Sequence, residues 1–290
     1  MTAGRTLVVC DLDGTLLRSD ATLSDFARNG LNHLVAAGLA LTVASARSTA
    51  AMRQLLPGLE LRLPVIEING AFVSDLDTGR HLASATLARD AARAAVELVA
   101  RTGVDPVLTT WDGERDRVHH STCTNLGTHW YVEEKRAYGD PRLTASRDLP
   151  AVAAAESVAS VITFTPESDA AVLVAELEAA LGPVATVLAA EAAYVPGWTE
   201  ISVQDPSAEK GAAIAGLLEA VGLDRDSTEV VVCGDHLNDL PMFGIADRSV
   251  APANGHADVL RHASVVVGGN DEDGVVRHLL AEHLDGAAAC

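Results

Sequence analysis

Two short apolar strands, Leu7 to Cys10 near the start of the chain and Glu229 to Cys233 near its end, each run straight into acids. The first is followed by Asp11-Leu12-Asp13-Gly14-Thr15, the second by Gly234-Asp235-His236-Leu237-Asn238-Asp239. Continuous apolar runs of this length, bounded by turn residues, suit strands buried on both faces of a parallel sheet. Carboxylates at the end of such a strand are costly to bury unless something compensates them. A hard cation such as Mg²⁺, which takes oxygen ligands, does so. Either cluster alone could be a turn cap or a structural ion pair. Two of them, each ending a strand of one sheet, point instead to a common ligand edge.

The segments between them follow the same rhythm. A helix is expected from Ser24, a good N-cap, to Ala37, with Gly38 as its stop. A second strand, Leu39 to Ala44, ends at Ser45-Ala46-Arg47. A helix from Ser48 to Leu56 stops before Pro57, and a third strand, Pro64 to Ile68, ends at Asn69-Gly70. Alternating strands and helices predict a doubly wound α/β sheet, in which ligands bind at the carboxyl ends of strands. After about Arg80 the texture changes. Val107 to Trp111 and Arg117 to His120 flank Asp112-Gly113, and Ala193 to Val195 and Thr199 to Val203 flank Pro196-Gly197; both read as hairpins. Val158 to Phe164 reads as a strand and Ser168 to Leu181 as a helix. The α/β texture returns with a helix from Ser207, as N-cap, to Val221, and with short strands around Ser249-Val250 and Ser264 to Val267. The expected division is 1–82 and 204–290 as one Rossmann-like core, with 83–203 as an inserted α+β domain.

Composition narrows the partners. The chain has 290 residues, of which 21 are Lys or Arg and 40 Asp or Glu, a formal net charge of −19. Such a surface repels phosphate backbones and anionic lipid, which disfavours nucleic-acid and membrane-surface binding but not a small phosphorylated ligand in a local positive pocket. No apolar stretch reaches the roughly 20 residues of a membrane span. The N-terminus does not read as a signal peptide. The four cysteines, Cys10, Cys123, Cys233 and Cys290, are sparse and form no CxxC, which suits reduced thiols and a cytoplasmic protein.

Lys210 breaks a local rule. It falls in the first turn of its expected helix, where a cation opposes the helix dipole, and such rule-breaking is expected at functional sites. Ser45, at a strand end, could donate to a phosphoryl oxygen. Together, Asp11-Leu12-Asp13-Gly14-Thr15, Ser45, Lys210 and Gly234-Asp235-His236-Leu237-Asn238-Asp239 resemble the four motifs of the haloacid dehalogenase-like hydrolase superfamily, in the family order. Arg47, Ile68-Asn69-Gly70-Ala71 and Asn270-Asp271-Glu272-Asp273-Gly274-Val275 add a likeness to its Cof-type branch, subfamily IIB. His236 departs from the Gly or Asn of many relatives. The insertion point, between the second and third motifs, is where that family carries a C2-type cap that closes over the site and selects the leaving group.

The resemblance implies a Mg²⁺-dependent phosphatase acting through an aspartyl-phosphate. Asp11 would be the nucleophile and Asp13 the general acid and base. Asp11, the Asp13 carbonyl and Asp235 would hold Mg²⁺. Asn238 and Asp239, the latter grouped with the metal residues, would orient the metal's waters and Lys210. Ser45 and Lys210 would bind the phosphoryl oxygens, with Arg47, Asn69 and Asn238 on the substrate side. A small phosphorylated metabolite is expected, a sugar phosphate first, with nucleotides and pyridoxal phosphate open. The alternatives are a phosphomutase and a catalytically silent phospho-ligand-binding regulator; the second would be expected to lack Asp11, Asp13 or Lys210. In the insert, Arg117 and His120 are the expected substrate contacts. His119, His120, Cys123 and His129 match no standard zinc spacing. Neither the substrate nor the oligomeric state, monomer or dimer, is written in the sequence.

Overall fold

The computed structural model describes residues 5–192 and 195–287. Contacts divide the chain into two compact units, 1–84 with 209–290 and 85–208. In the first unit, Arg5–Cys10 forms β1, followed by a wide π-type turn over Leu12–Leu16 that the Leu17 N–H closes on the Leu12 carbonyl at 2.8 Å. Helix α1, Asp25–Ala36, starts behind Ser24, whose hydroxyl accepts from the Ala27 N–H. Strand β2, Ala40–Val43, leads to α2, Thr49–Leu55, which Ser48 caps in the same way. Then come β3, Val65–Glu67, β4, Phe72–Ser74, and β5, His81–Ser84.

The second unit runs through α3 (Arg89–Arg101), β6 (Val107–Trp111), β7 (Asp116–His120), α4 (Leu126–Ala137), β8 (Leu143–Ala145), α5 (Leu149–Ala155), β9 (Ser157–Pro166), α6 (Glu167–Leu181), β10 (Thr186–Glu191) and β11 (Trp198–Gln204). Its sheet has the order β10-β11-β9-β6-β7-β8, antiparallel except for β7 beside β8. Leu108, Val158, Val161, Ile201 and Val203 pack on one face with α3, α5 and α6. On the other, Ile162 and Phe164 meet Trp130 and Tyr131 of α4, and Val107 and Val118 meet Val132.

The chain re-enters the first unit with α7 (Lys210–Val221), β12 (Thr228–Cys233), α8 (Leu240–Ile245), β13 (Arg248–Pro252), α9 (Ala257–His262), β14 (Val265–Val267) and α10 (Gly274–Ala287). Five parallel strands stand in the order β14-β13-β12-β1-β2. Strand β1 shows why the sheet is doubly wound. Val8 and Cys10 enter a layer with Leu31, Met52, Val276 and Leu279 from α1, α2 and α10, whereas Leu7 and Val9 enter one with Ile214, Leu217, Met242 and Val259 from α7, α8 and α9. Alternate side chains thus meet helices on both faces, each fully buried Leu or Val contributing about 1.5–3 kcal/mol. Cys10 lies level with Cys233, so the two acidic segments leave adjacent strands at the same height.

Three expectations are corrected. The segment Pro64 to Ile68 is no full strand of the parallel sheet: it meets that sheet through the isolated Ala44–Ile66 bridge and the Thr42 hydroxyl, which donates to the Pro64 carbonyl, while β3 pairs with β4 in an antiparallel β3-β4-β5 sheet. Ile68, Asn69 and Gly70 all take positive φ, 51°, 53° and 101°, and turn the chain back on itself. Ser207 does not cap α7: its hydroxyl and N–H both go to Asp205, and the helix begins behind Glu209. The second hairpin of the insert uses β10, upstream of the expected Ala193 to Val195; Ala193 lies outside the described residues, and Val195 sits in the connecting turn.

Candidate active site

The parallel register delivers Asp11 from the end of β1 and Asp235 and Asp239 from beyond the end of β12. One oxygen from each of the three carboxylates lies within 4.8 Å of the others, and among the described residues this is the group of His, Cys, Asp and Glu arranged to hold a metal ion. Asp11 and Asp239 are buried. Between them comes Lys210, the first residue of α7, its Nζ 2.5 Å from Asp11 Oδ1 and 2.6 Å from Asp239 Oδ1. The unfavourable cation at a helix start thus has its compensation in two carboxylates. Burial pulls the Lys210 ammonium down, but Asp11 and Asp239 outweigh it and hold the group above its ordinary range.

The acids respond to the same balance. Burial pushes the Asp11 carboxyl well up; Lys210 opposes this, while Asp239 and Asp235 add to it. Asp235, partly buried, is pushed up to about 6, chiefly by burial and further by Asp239, against the pull of a hydrogen bond from Thr15 Oγ1 at 2.9 Å. Asp239 is occupied in another way. Its Oδ2 accepts the main-chain N–H groups of Asp235 and His236, both at 2.9 Å, while its Oδ1 accepts Lys210. With three hydrogen bonds already on its oxygens, Asp239 is placed to organise the loop and Lys210.

The other expected residues fall around this centre. Asp13 leaves the wide turn with its carboxylate outside the triad, gripped by Arg47 through Nε and Nη2, both at 2.8 Å. Ser45 is buried; its Oγ accepts the Arg47 N–H at 3.1 Å. Asn69 and Asn238 are joined, Nδ2 of Asn238 donating to Oδ1 of Asn69 at 3.0 Å. The left-handed turn that carries Asn69 is strained, since a β-branched residue such as Ile68 rarely takes positive φ, at a cost of order 1–3 kcal/mol. Two hydrogen bonds to the motif loop hold it there, Ile68 N–H to the Arg47 carbonyl and Asn69 N–H to the Ser45 carbonyl. Gly70 has no substitute, because at φ 101° a Cβ would also land on the Glu209 backbone just before Lys210.

Asn254 was not among the expected residues. It donates to the Gly14 carbonyl at 2.8 Å and accepts the Asn270 N–H at 2.9 Å. It follows strand β13, and the rule that polar residues at strand ends face the ligand edge would have found it. The similarity segment at 270–275 also has a structural role. Asn270 donates to the Leu17 carbonyl, Asp271 accepts from Ser19, and Asp273 accepts from Arg18 and Ser24, which fastens the chain that leaves the wide turn.

The second unit separates its two expected contacts. Arg117 and His120 lie an odd number of residues apart on β7 and so point to opposite faces of the sheet. Arg117 is committed to ion pairs with Asp112 and Glu156, at 2.5 and 3.1 Å. His120 is buried on the face that α4 partly covers, its Nδ1 2.8 Å from the Ser121 carbonyl. His119 bonds Ser146 and Glu156 on the Arg117 face, so the histidines of this stretch do not converge.

The arrangement agrees with what is known of similar proteins. A family model described as haloacid dehalogenase-like hydrolase matches residues 8–279. The chain belongs to that family. A 5-amino-6-(5-phospho-D-ribitylamino)uracil phosphatase of Bacillus subtilis is 26% identical over 277 residues, 94% of this chain and 96% of the relative. An HMP-PP phosphatase of an Enterobacter strain is 28% identical over 291 residues, 96% of each chain. A solved subclass IIB sugar phosphatase superposes with a TM-score of 0.70 at 18% identity, over 97% of this chain and 99% of its own. The chain is accordingly a phosphoric monoester hydrolase of the Cof-type branch, with the parallel core and added sheet-and-helix region of that fold. Among the described residues no helix is long and apolar enough to cross a membrane.

Proposed function

We propose that this protein is a Mg²⁺-dependent phosphatase of a small phosphorylated metabolite, a sugar or sugar-alcohol phosphate first, working through an aspartyl-phosphate. The observation that carries the reading is the charge count at the strand ends: three converging carboxylates against one ammonium. That donor set, all hard oxygens with a surplus of two negative charges, fits a divalent cation such as Mg²⁺. Asp11, Asp235 and the main-chain carbonyl of Asp13 would hold it, and when bound it supplies charge neutralisation for the incoming phosphoryl group. Asp11, steadied by Lys210, is the nucleophile that attacks phosphorus and releases the leaving oxygen. Asp13, fixed by the Arg47 fork, protonates that oxygen and then takes the proton of the water that hydrolyses the intermediate. Ser45 and Lys210 hold phosphoryl oxygens, and Asn238 with Asn69 fixes the loop on the metal side.

The substrate class is supported by the relatives, whose names specify a phosphoribitylamino-uracil, HMP-PP and sugar phosphates. We assign the second unit the role of a cap that selects the leaving group, with His120 rather than the ion-paired Arg117 available for that purpose. The free thiols Cys10, Cys123 and Cys233 suit a cytoplasmic setting. The test is hydrolysis of a small aryl phosphate by the purified chain. Asp11→Asn should abolish turnover with the fold intact, since an amide is a far poorer nucleophile. Chelation should abolish it in the wild type and Mg²⁺ restore it. Turnover by Asp11→Asn, or full activity in chelator, would refute the mechanism.

A further inference from the structure

Glu67 is fully buried in the first unit and takes no part in the chemistry above. A carboxylate in such a place is retained only where hydrogen bonds compensate it, and here they do. Its Oε2 accepts the main-chain N–H of Thr49 at 2.5 Å, and its Oε1 accepts the Ser74 hydroxyl at 2.5 Å. Ser74 Oγ lies 2.7 Å from His81 Nδ1, which is itself 3.5 Å from Glu67 Oε1. The imidazole is stacked flat on Phe72, with ring centroids 3.9 Å apart, so the network has little freedom to turn. Ser74 from β4 and His81 from β5 therefore brace Glu67 of β3, whose other oxygen takes the N–H of the first residue of α2.

That N–H closes the loop that carries the second motif. Ser45 and Arg47 lie just upstream, the first aimed at phosphoryl oxygens and the second holding Asp13. Main-chain bonds fix the start and middle of the loop: Ser45 N–H to the Ile66 carbonyl, Asn69 N–H to the Ser45 carbonyl and Ile68 N–H to the Arg47 carbonyl. Glu67 stands between Ile66 and Ile68 and fixes its end with a charge-assisted bond. We propose that Glu67 is a positioning residue: its carboxylate, braced by Ser74 and His81, sets the Ser45–Arg47 loop in the conformation that binds a phosphoryl group. This rests on the phosphatase reading.

The experiment compares full-length wild type with Glu67→Gln, Glu67→Leu and Thr49→Pro. The readouts are calorimetric binding of inorganic phosphate in the presence of Mg²⁺, KM and kcat for a small aryl phosphate, and thermal unfolding. Gln can reproduce the network, its oxygen accepting from Thr49 and its amide donating to Ser74, so phosphate affinity and KM should stay within about threefold of wild type. Leu leaves the Thr49 N–H unmet, and both should weaken by about tenfold or more. Thr49→Pro removes that N–H together with the Thr49 hydroxyl, and its ring Cδ displaces the Glu67 carboxylate from the loop end. Proline is tolerated at a first helical position, and Ser48 already has the extended backbone (φ −86°, ψ 161°) that must precede it. This variant should reproduce the Leu phenotype, and it decides alone should Glu67→Leu not fold. Folded Leu and Pro variants that bind phosphate like wild type would reduce Glu67 to a core residue and overturn the proposal. So would a Gln variant as weak as Leu. Wild type that neither binds phosphate nor hydrolyses the ester overturns the phosphatase reading itself, a separate outcome.

Discussion

Asp235→Asn should make the metal-free protein more stable while removing its response to Mg²⁺. The reasoning starts from a carboxyl whose ordinary value of 3.8 is pushed to about 6, first by burial and then by Asp239. That change corresponds to ~3 kcal/mol of destabilisation once the group is ionised in the folded protein. The sign follows from linkage. A raised folded value means that the protonated form is favoured by folding, so the penalty is absent below about pH 4, is roughly half developed at pH 5 and is complete above pH 7. Asn carries no charge and keeps an oxygen to accept from Thr15. In chelator at pH 7.5 the variant should therefore unfold later than wild type. A transition in a unit of this size moves by about 2–4 °C per kcal/mol, so the gain should be ~6–12 °C and shrink by about half at pH 5. Adding Mg²⁺ should raise the wild-type transition and leave the variant almost unmoved. The assay is thermal or denaturant unfolding at the two pH values, with chelator or Mg²⁺. A variant less stable than wild type in chelator at pH 7.5, or an advantage that does not decline on acidification, would refute the account of Asp235 as a carboxylate held for a cation.

Lys210→Met, at the same cluster, should act in the opposite direction. It leaves Asp11 and Asp239 buried without their cation, so unfolding should come about 3–5 kcal/mol earlier and aryl phosphate turnover should be lost; unchanged stability would show that the two contacts carry little. In the second unit, Arg117→Ala should lower stability only slightly, since its pairs with Asp112 and Glu156 are solvent-screened, and leave the ratio of kcat/KM between a sugar phosphate and an aryl phosphate unchanged. His120→Ala should alter that ratio instead, and equal effects of the two variants would remove His120 from the selection of the leaving group.

Most of the convergence at the candidate site was legible in the sequence because its signals are local. An apolar run that ends in acids reports a buried strand and its functional end together, and this is true of both β1 and β12. Ser24 and Ser48 announced their helices through short-range capping. Lys210 was conspicuous because a cation at a helix start needs a reason, and the reason is Asp11 and Asp239. What could not be read depends on partners far along the chain. Ser207 has the side chain of an N-cap but spends it on Asp205. Glu67 has no local signature, because Thr49, Ser74 and His81 reach it from three separate segments. The Ile68 turn runs against propensity, since a β-branched residue argues for continuing the strand; hydrogen bonds to Arg47 and Ser45 override it. Arg117 and His120 were joined by nearness in sequence, although the two-residue period of a strand already places them on opposite faces.

The two substitutions at the carboxylate cluster bear jointly on its purpose. An ion-paired site built for stability would hold equal numbers of charges, and the loss of either kind would destabilise it. Here one ammonium faces three carboxylates, so removing the cation and removing an acid should have opposite effects on the metal-free chain. Lys210 cannot correct the imbalance, since its two short contacts already commit it to Asp11 and Asp239. Asp239 cannot relieve it either, because two main-chain N–H groups and Lys210 hold that carboxylate in place. The unmatched charge therefore falls on Asp11 and Asp235, whose carboxyls burial pushes upward. Protonation would relieve it for stability alone but would disable Asp11 in the nucleophilic role proposed above. A divalent cation would relieve it while leaving Asp11 ionised for that proposed role.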